Sequence, residues 1–311
     1  MERPFHPGEL EVQRRAGTLD AAAAVGRIIR PVIPAGTARI LARQPFAVAS
    51  SLDSGGRVWA SLLAGPTGFI QLLDDRMLRL AAPPIPGDPL AANLAARPEL
   101  GLLVLDPRTR QRLRFNGRGL LSAEGVFLLV EQAYGNCPKY IQLRALEAEL
   151  RGAAPGAPQL GDRLSPSQQD WVRRADTFFV ASFHPGGGAD ASHRGGFPGF
   201  VRVVGPDRVE FDDYPGNGMF NTLGNLVAYP QASLLFVDFE AGHLLQLAGR
   251  ARVGADFAVG FDVESVRETR EASPVRFRLV EYSPAIPRPS HPEAGGISRV
   301  SPVATGAGGN R

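Results

Sequence analysis

The sequence predicts a mainly β protein with short helices, folded as two small antiparallel barrels in tandem. Three observations lead there. Short apolar segments of strand length, bounded by Gly and Pro, recur along the chain. The order of these segments then returns after 132 residues (Pro34 to Pro166). A stretch rich in Gly, Ala and Pro, from Arg151 to Arg163, separates the two runs. A period this long indicates two domains rather than a solenoid.

Composition agrees. A chain of 311 residues is long enough for two domains with a core each. Its 44% apolar and 21% charged content is that of a soluble globular protein. No apolar run approaches a membrane span, and Met1-Glu2-Arg3-Pro4 lacks a secretory pattern. A lone cysteine excludes an internal disulfide and fits a reducing, cytoplasmic compartment. The net charge of +3 comes from interleaved signs, so neither nucleic acid nor membrane is expected as a partner.

Residues 1–32 read as an N-terminal extension with an extended start and a short helix around Leu19–Ile29. The first domain spans 33–150. It opens with a helix from Pro34 to Arg43, then strands at Phe46–Ser51 and Val58–Leu63 across the turn Asp53-Ser54-Gly55-Gly56. Strands at Gly68–Leu72 and Leu78–Ala81 follow. Asp88 as N-cap and Pro89 at N1 start a helix that Pro98 stops. Strands at Leu100–Leu105, Arg112–Gly117 and Val126–Gln132 complete the unit.

The second domain, 165–283, follows a linker at 151–164. Phe46 matches Phe178, Ala49-Ser50 matches Ala181-Ser182, Asn93-Leu94 matches Asn225-Leu226, and Gly117-Arg118 matches Gly249-Arg250. Leu129-Val130-Glu131 resembles Leu279-Val280-Glu281, after an insertion expected to hold a helix near Val263–Glu271. Ser165-Pro166-Ser167-Gln168 carries a capping-box pattern. Residues 284–311 turn to Pro, Ser and Gly and read as a disordered tail.

The chemistry is expected at Asp190-Ala191-Ser192-His193-Arg194-Gly195-Gly196. The run Gly186-Gly187-Gly188 precedes it, so it reads as the second strand of a hairpin. Alternation puts Ser192 and Arg194 on one face and His193 on the other. An arginine and a hydroxyl beside glycines suit a phosphate. Asp213-Tyr214-Pro215-Gly216-Asn217-Gly218 leads into a helix whose first turns carry Asn221, Thr222 and Asn225, and free amides there favour an anion. Plain capping by Asn217 is the bland alternative.

The run Ala175–Ser182, then Asp190–Gly196, Asp213–Asn217, Asn221–Leu226 and Leu234–Phe239, resembles the pyridoxamine 5'-phosphate oxidase-like FMN-binding split-barrel superfamily, in an uncharacterised tandem-domain branch. The resemblance covers 33–283 as two copies. It implies two Greek-key split barrels paired as an internal pseudo-dimer, with FMN at the interface and flavin-dependent oxidoreductase activity on a small molecule. Related barrels use deazaflavin or haem instead. Ser192-His193-Arg194-Gly195-Gly196 and Phe220-Asn221-Thr222 depart from the oxidases proper, which argues against the vitamin substrate.

In the first copy the matching residues are Ser61-Leu62-Leu63 and Pro89-Leu90, so one working and one degenerate site are expected. Gln246, on a late strand, is a candidate for the flavin ring edge. The segment Tyr134–Tyr140 holds the only cysteine, Cys137, and the only lysine, Lys139. It is expected to fold over the interface, with Asn136, Lys139 and Tyr140 at the flavin. Electrons would come from a separate reductase or from NAD(P)H, and a homodimer stays open. The competing readings are a flavin-binding storage module and a metal-dependent enzyme centred on His184 and His193 with Asp190.

Overall fold

The computed structural model describes residues 4–148 and 155–287; the start of the linker and the last part of the tail lie outside these residues. The chain begins with helices α1 (Pro7–Arg15) and α2 (Leu19–Gly26). The extended start read for this region is thus corrected by α1. His6 accepts from the Gly8 and Glu9 amides while Glu9 accepts from the His6 amide. This is a capping box with histidine in place of the usual hydroxyl, which hides it in the sequence. The helix read over Pro34–Arg43 is a 3-10 turn, Ala35–Thr37, running into the four-residue α3 (Ala38–Leu41).

Eight further elements make the first sheet and its helix: β1 (Phe46–Leu52), β2 (Val58–Ala64), β3 (Ile70–Leu72), β4 (Met77–Leu80), α4 (Leu90–Ala96), β5 (Glu99–Asp106), β6 (Gln111–Ser122) and β7 (Gly125–Gly135). After them come β8 (Leu143–Ala148), β9 (Gln159–Gly161) and α5 (Pro166–Arg174), whose start is closed by the Ser165–Gln168 capping box. The second set is β10 (Thr177–His184), β11 (Gly188–Gly195), β12 (Val201–Gly205), β13 (Arg208–Asp212), α6 (Asn221–Ala228), β14 (Gln231–Val237), β15 (Leu244–Val253) and β16 (Ala258–Thr269). The last strand is β17 (Arg276–Glu281).

The fold is mainly β, and every strand pairing is antiparallel. The strand orders are β2-β1-β5-β6-β7-β4-β3 and β11-β10-β14-β15-β16-β13-β12, the same path walked twice.

Register refines the sequence match. Val48 pairs with Leu103 and Phe179 with Leu235, while Ala49 faces Ser61 and Val180 faces Ser192. The early strands therefore correspond with an offset of 131 (Ser61 to Ser192), and the 132 offset (Gly117 to Gly249) holds for the helix, β5 and β6. The anchors Phe46–Phe178 and Ala49–Ala181 sit one residue out, which on a strand means opposite faces. Phe46 and Val48 join one core with Phe179 and Ala181, whereas Ala47 and Phe178 turn into separate ones.

Two further readings are corrected. The helix expected near Val263–Glu271 is strand β16, the counterpart of β7: Val259, Phe261 and Val263 alternate into the second core, and the bulge at Glu264 brings Val266 to the same face. Leu279-Val280-Glu281 lies in β17, which leaves the sheet and pairs with β8 in a two-stranded ribbon joining the halves.

The three largest apolar clusters follow. One fills the first sheet, one the second, and a third is shared, with Phe46, Val48, Leu62 and Leu103 from one half meeting Phe179, Ala181, Ala191 and Leu235 from the other. Among the described residues no helix is long and apolar enough to cross a membrane.

The Gly117/Gly249 match has a structural reason. Both stand at a register shift, between Asn116 and Gly117 and between Ala248 and Gly249. A Cβ there would overlap the Leu129 or Asp262 carbonyl oxygen. Gly249→Ala is therefore expected to cost roughly 2–3 kcal/mol of unfolding free energy, since backbone must shift to admit one methyl. Urea denaturation checks this; a loss below about 0.5 kcal/mol, the scale of an ordinary surface change, would show that the bulge tolerates a side chain.

Candidate functional site

The site forms where β11 of the second sheet crosses β5 and β6 of the first. Pairing of β11 with β10 sets its faces: Ala189 and Ala191 enter the shared core, and Asp190 and Ser192 turn the other way. They meet Arg114 of β6. Its Nη1 donates to the Tyr134 hydroxyl at 2.9 Å, to Asp190 Oδ2 at 3.0 Å and to Asn221 Oδ1 at 3.4 Å. Its Nη2 donates to Ser192 Oγ, which bonds Thr222 Oγ1 at 2.7 Å. Every one of these partners except Asn221 is buried.

Beside this network lies a cleft enclosing about 90 Å³, lined by Arg112, Arg114, Asn136, Ser192, His193 and Arg194 among others. Arg112 stands two residues before Arg114 on β6, so strand alternation aims both the same way. Its Nη1 is 3.5 Å from His193 Nδ1, and its buried Nε has no partner. Arg194 pairs with Asp213 at 2.7 Å and donates to the His193 carbonyl. Arg114 pairs with Asp190 at 2.9 Å. Arg112 has no carboxylate among the described residues. Three guanidiniums thus share two carboxylates.

The remaining wall is the start of α6. Phe220 sits at its N-cap with φ 57° and ψ 31°, a left-handed conformation that a bulky side chain rarely takes. No side chain caps the first turn. Asn217 does not do so: it accepts from the Met219 amide and donates to Asn136. The uncapped turn presents its positive end to the cleft, which its residues Asn221, Thr222 and Leu223 line.

Electrostatics carry the same sign. Burial holds Arg112 down to about 9, and the charges of Arg114 and Arg194 push the same way. A guanidinium does not give up its proton at working pH, so the shift marks a cation that Cys137 and Asp213 only partly offset. Burial, then Arg112 and Arg194, hold His193 well below the usual imidazole range, so its ring is neutral at pH 7. Its buried Nε2 has no partner.

Seven of the sequence-predicted residues line this one cleft: Ser192, His193, Arg194, Asn221, Thr222, Asn136 and Tyr140. Three lie elsewhere. Asn225 sits a turn further along α6, where it donates to Ser182 Oγ and faces a wider cleft of about 620 Å³ with His6 and Glu9. Gln246 lies at the opposite interface, where it donates to the Ala60 carbonyl and to Asp88. Lys139 is exposed and outside the cleft lining, because the segment's turn directs Asn136 and Tyr140 inward and Lys139 outward. The metal set does not assemble either. His184 stacks on His6 with ring centroids 3.7 Å apart, His193 packs edge-on against Phe179, and Asp190 is taken by Arg114.

Sequence reasoning missed Arg112, Arg114, Tyr134 and the α1 residues. Arg112-x-Arg114 on a strand was the available signal, two cations on one face. Gln246, which was singled out, is the second-copy counterpart of Arg114. The position was found in the wrong copy.

Helix α1 closes the far side of the network, crossing α6 where Gly8 and Gly224 leave no room for a Cβ. Glu9 accepts from the Asn221 amide group and is buried. Burial raises its carboxyl to about 7, against the hydrogen bonds from Asn221 and the His6 amide. Burial lowers His6 to about 4, against its bond to Asn225. A carboxyl raised in the folded state withdraws stability as pH rises from its unfolded value toward 7. A histidine lowered in the folded state withdraws it as pH falls from 6.5 toward 4. In the parent these two trends oppose each other. Glu9→Gln removes the first, so between pH 5 and 7.5 the variant is expected to gain about 2 kcal/mol relative to the parent's own change. Urea unfolding at the two pH values checks it; parallel behaviour of parent and variant would show that Glu9 ionises normally.

No family model matches the chain, and no curated protein matches it. Among solved structures, the crystal structure of Group A Streptococcus HupZ is 16% identical, with a TM-score of 0.26 over 32% of this chain and 90% of that one. A histidine-to-alanine variant of HupZ is likewise 16% identical, with a TM-score of 0.27 over 34% of this chain and 98% of that one. Likeness this slight has no bearing on function.

Proposed function

We propose that the cleft binds the phosphate of a small anionic ligand, and that the ligand is FMN in a flavin-dependent oxidoreductase acting on a small molecule. One observation carries the reading: Arg112 brings a buried, unpartnered Nε, on a guanidinium with no carboxylate partner among the described residues, to the uncapped start of α6. A dianion there would give Arg112 Nε an acceptor and satisfy the helix end together. The enclosed 90 Å³ suits a phosphate group and is too small for a ring system. A ring would have to lie toward the open side, where Tyr140 and Tyr214 pack 5.3 Å apart.

The tandem split-barrel architecture belongs to the same proposal, supported by the repeated strand path and the shared core. Bound FMN would supply the redox chemistry, with electrons from a separate reductase or from NAD(P)H. The chain's own residues would do the rest. Arg112, Ser192 and Thr222 would hold the phosphate, and Asp190 would keep Arg114 fixed for it. Neutral His193 would accept from Arg112 at Nδ1 without adding charge.

The purified protein is expected to carry a flavin spectrum with one FMN per chain, and to bind FMN far better than riboflavin, which lacks the phosphate. Equal affinity for the two would remove the phosphate from the account. Reduction of bound flavin by candidate donors distinguishes an oxidoreductase from a carrier.

Arg112→Met is the sharper test. It should weaken FMN binding by roughly 1.5–3 kcal/mol, the scale of a charge-assisted hydrogen bond. It should leave folding stability unchanged or higher, because a cation with a buried, unpartnered Nε and no carboxylate partner among the described residues is lost. A variant that unfolds more easily yet binds FMN as before would make Arg112 a structural residue.

A further inference from the structure

The first-copy counterpart of the phosphate cleft already contains an anion of its own. Asp88 Oδ1 accepts from Ser61 Oγ at 2.6 Å and from the Leu90 amide, in the first turn of α4, at 2.8 Å. Asp88 Oδ2 accepts from Gln246 Nε2 at 2.9 Å. Strand register makes Ser61 the counterpart of Ser192 and Gln246 that of Arg114. Asn93 and Asn225 donate alike to Ser51 and Ser182, and that match makes Leu90 the counterpart of Thr222. The residue that corresponds to Asp88 is Phe220. Its ring turns aside to stack on Phe257 at 5.5 Å, and with no carboxylate there Arg114 Nη2 donates directly to Ser192 Oγ.

We infer that Asp88 is a built-in oxyanion that closes the first-copy site, and that Phe220 keeps the second-copy site open for a free phosphate in the position that Asp88's carboxylate marks. The occupant of the second site rests on the proposed function above; the role of Asp88 does not. A tethered carboxylate is always present at high effective concentration, so no dissolved anion displaces it. The first site has accordingly exchanged arginine for Gln246: burial raises the Asp88 carboxyl to about 6, against the bonds from Ser61, Leu90 and Gln246 and the charge of Arg267, so it is still an anion at pH 7. The second site keeps Arg114 and adds Arg112 and Arg194, cations enough for a dianion. The unequal donor sets thus match the unequal anions. The left-handed backbone at Phe220 fits the same division, since a cap side chain such as Asp would fill the position a ligand needs.

The test uses the full chain with inorganic phosphate and acetate as probes, read by thermal unfolding. Phosphate is expected to raise the parent's Tm. Phe220→Asp supplies the missing carboxylate, so it should raise Tm without ligand and weaken phosphate binding at least about tenfold. Phe220→Leu should keep the parent's response to phosphate. In the other site Asp88→Ala should lower Tm, and acetate should restore part of the loss in that variant while leaving the parent unmoved. A parent indifferent to phosphate would overturn the phosphate reading of the second cleft. An Asp88→Ala variant as stable as the parent, or one that acetate does not rescue, would overturn the built-in anion. A Phe220→Asp variant that binds phosphate as tightly as the parent would overturn the correspondence between the sites.

Discussion

A buried guanidinium from one half of the chain must be matched by acceptors from the other, and the site is arranged around that need. Arg114 leaves β6 into an environment closed to water, where an unpaired cation would cost several kcal/mol. Asp190 meets it in an ion pair at 2.9 Å, and Tyr134, Ser192 and Asn221 take its remaining protons. Removing either charge from such a pair typically costs about 3–5 kcal/mol, because the partner is left buried and uncompensated. The halves are therefore held in one relative placement by polar groups as well as by the shared apolar core. Such a network stands or falls together.

That placement explains why the two sites diverged. The strand paths are identical, so each crossing presents a strand of one half to a strand and a helix start of the other. At one crossing the groups are Gln246, Ser61 and Asp88; at the other they are Arg114, Ser192 and an uncapped helix beside Arg112. The first set is satisfied within the chain. The second leaves cationic groups and neutral His193 facing a cleft, an arrangement with a folding cost that the first does not carry.

The N-terminal helix adds asymmetry outside the repeat. It lies across α6, where Gly8 and Gly224 allow close approach, while α4 carries Ala92 at the matching position. Through it His6 and Glu9 reach Asn225 and Asn221, so a segment that precedes the repeat finishes the site of the second copy only. This contact strains both titratable groups, since burial raises Glu9 to about 7 and lowers His6 to about 4.

Much of the fold was legible in the chain because its signals are local. Alternating apolar strands, the Ser165 capping box and the repeated Gly117-Arg118 and Gly249-Arg250 pairs read directly. Others misled for local reasons too. His6 in a capping box carries no familiar pattern, and the β16 stretch Val263–Glu271 holds charges that mimic a helical face. The Phe46–Phe178 match was one residue out, an error invisible in one dimension that changes the face of a strand. Ser192, Asn221 and Thr222 came from adjacent segments of one repeat and could be gathered by eye. Arg112, Arg114 and Glu9 could not, since they reach the cleft from the other repeat and from the N-terminus. Sequence alone determined which segments alternate and which repeat. Only the tertiary structure decided which charges are buried together, because burial depends on what the other half of the chain brings to the same place.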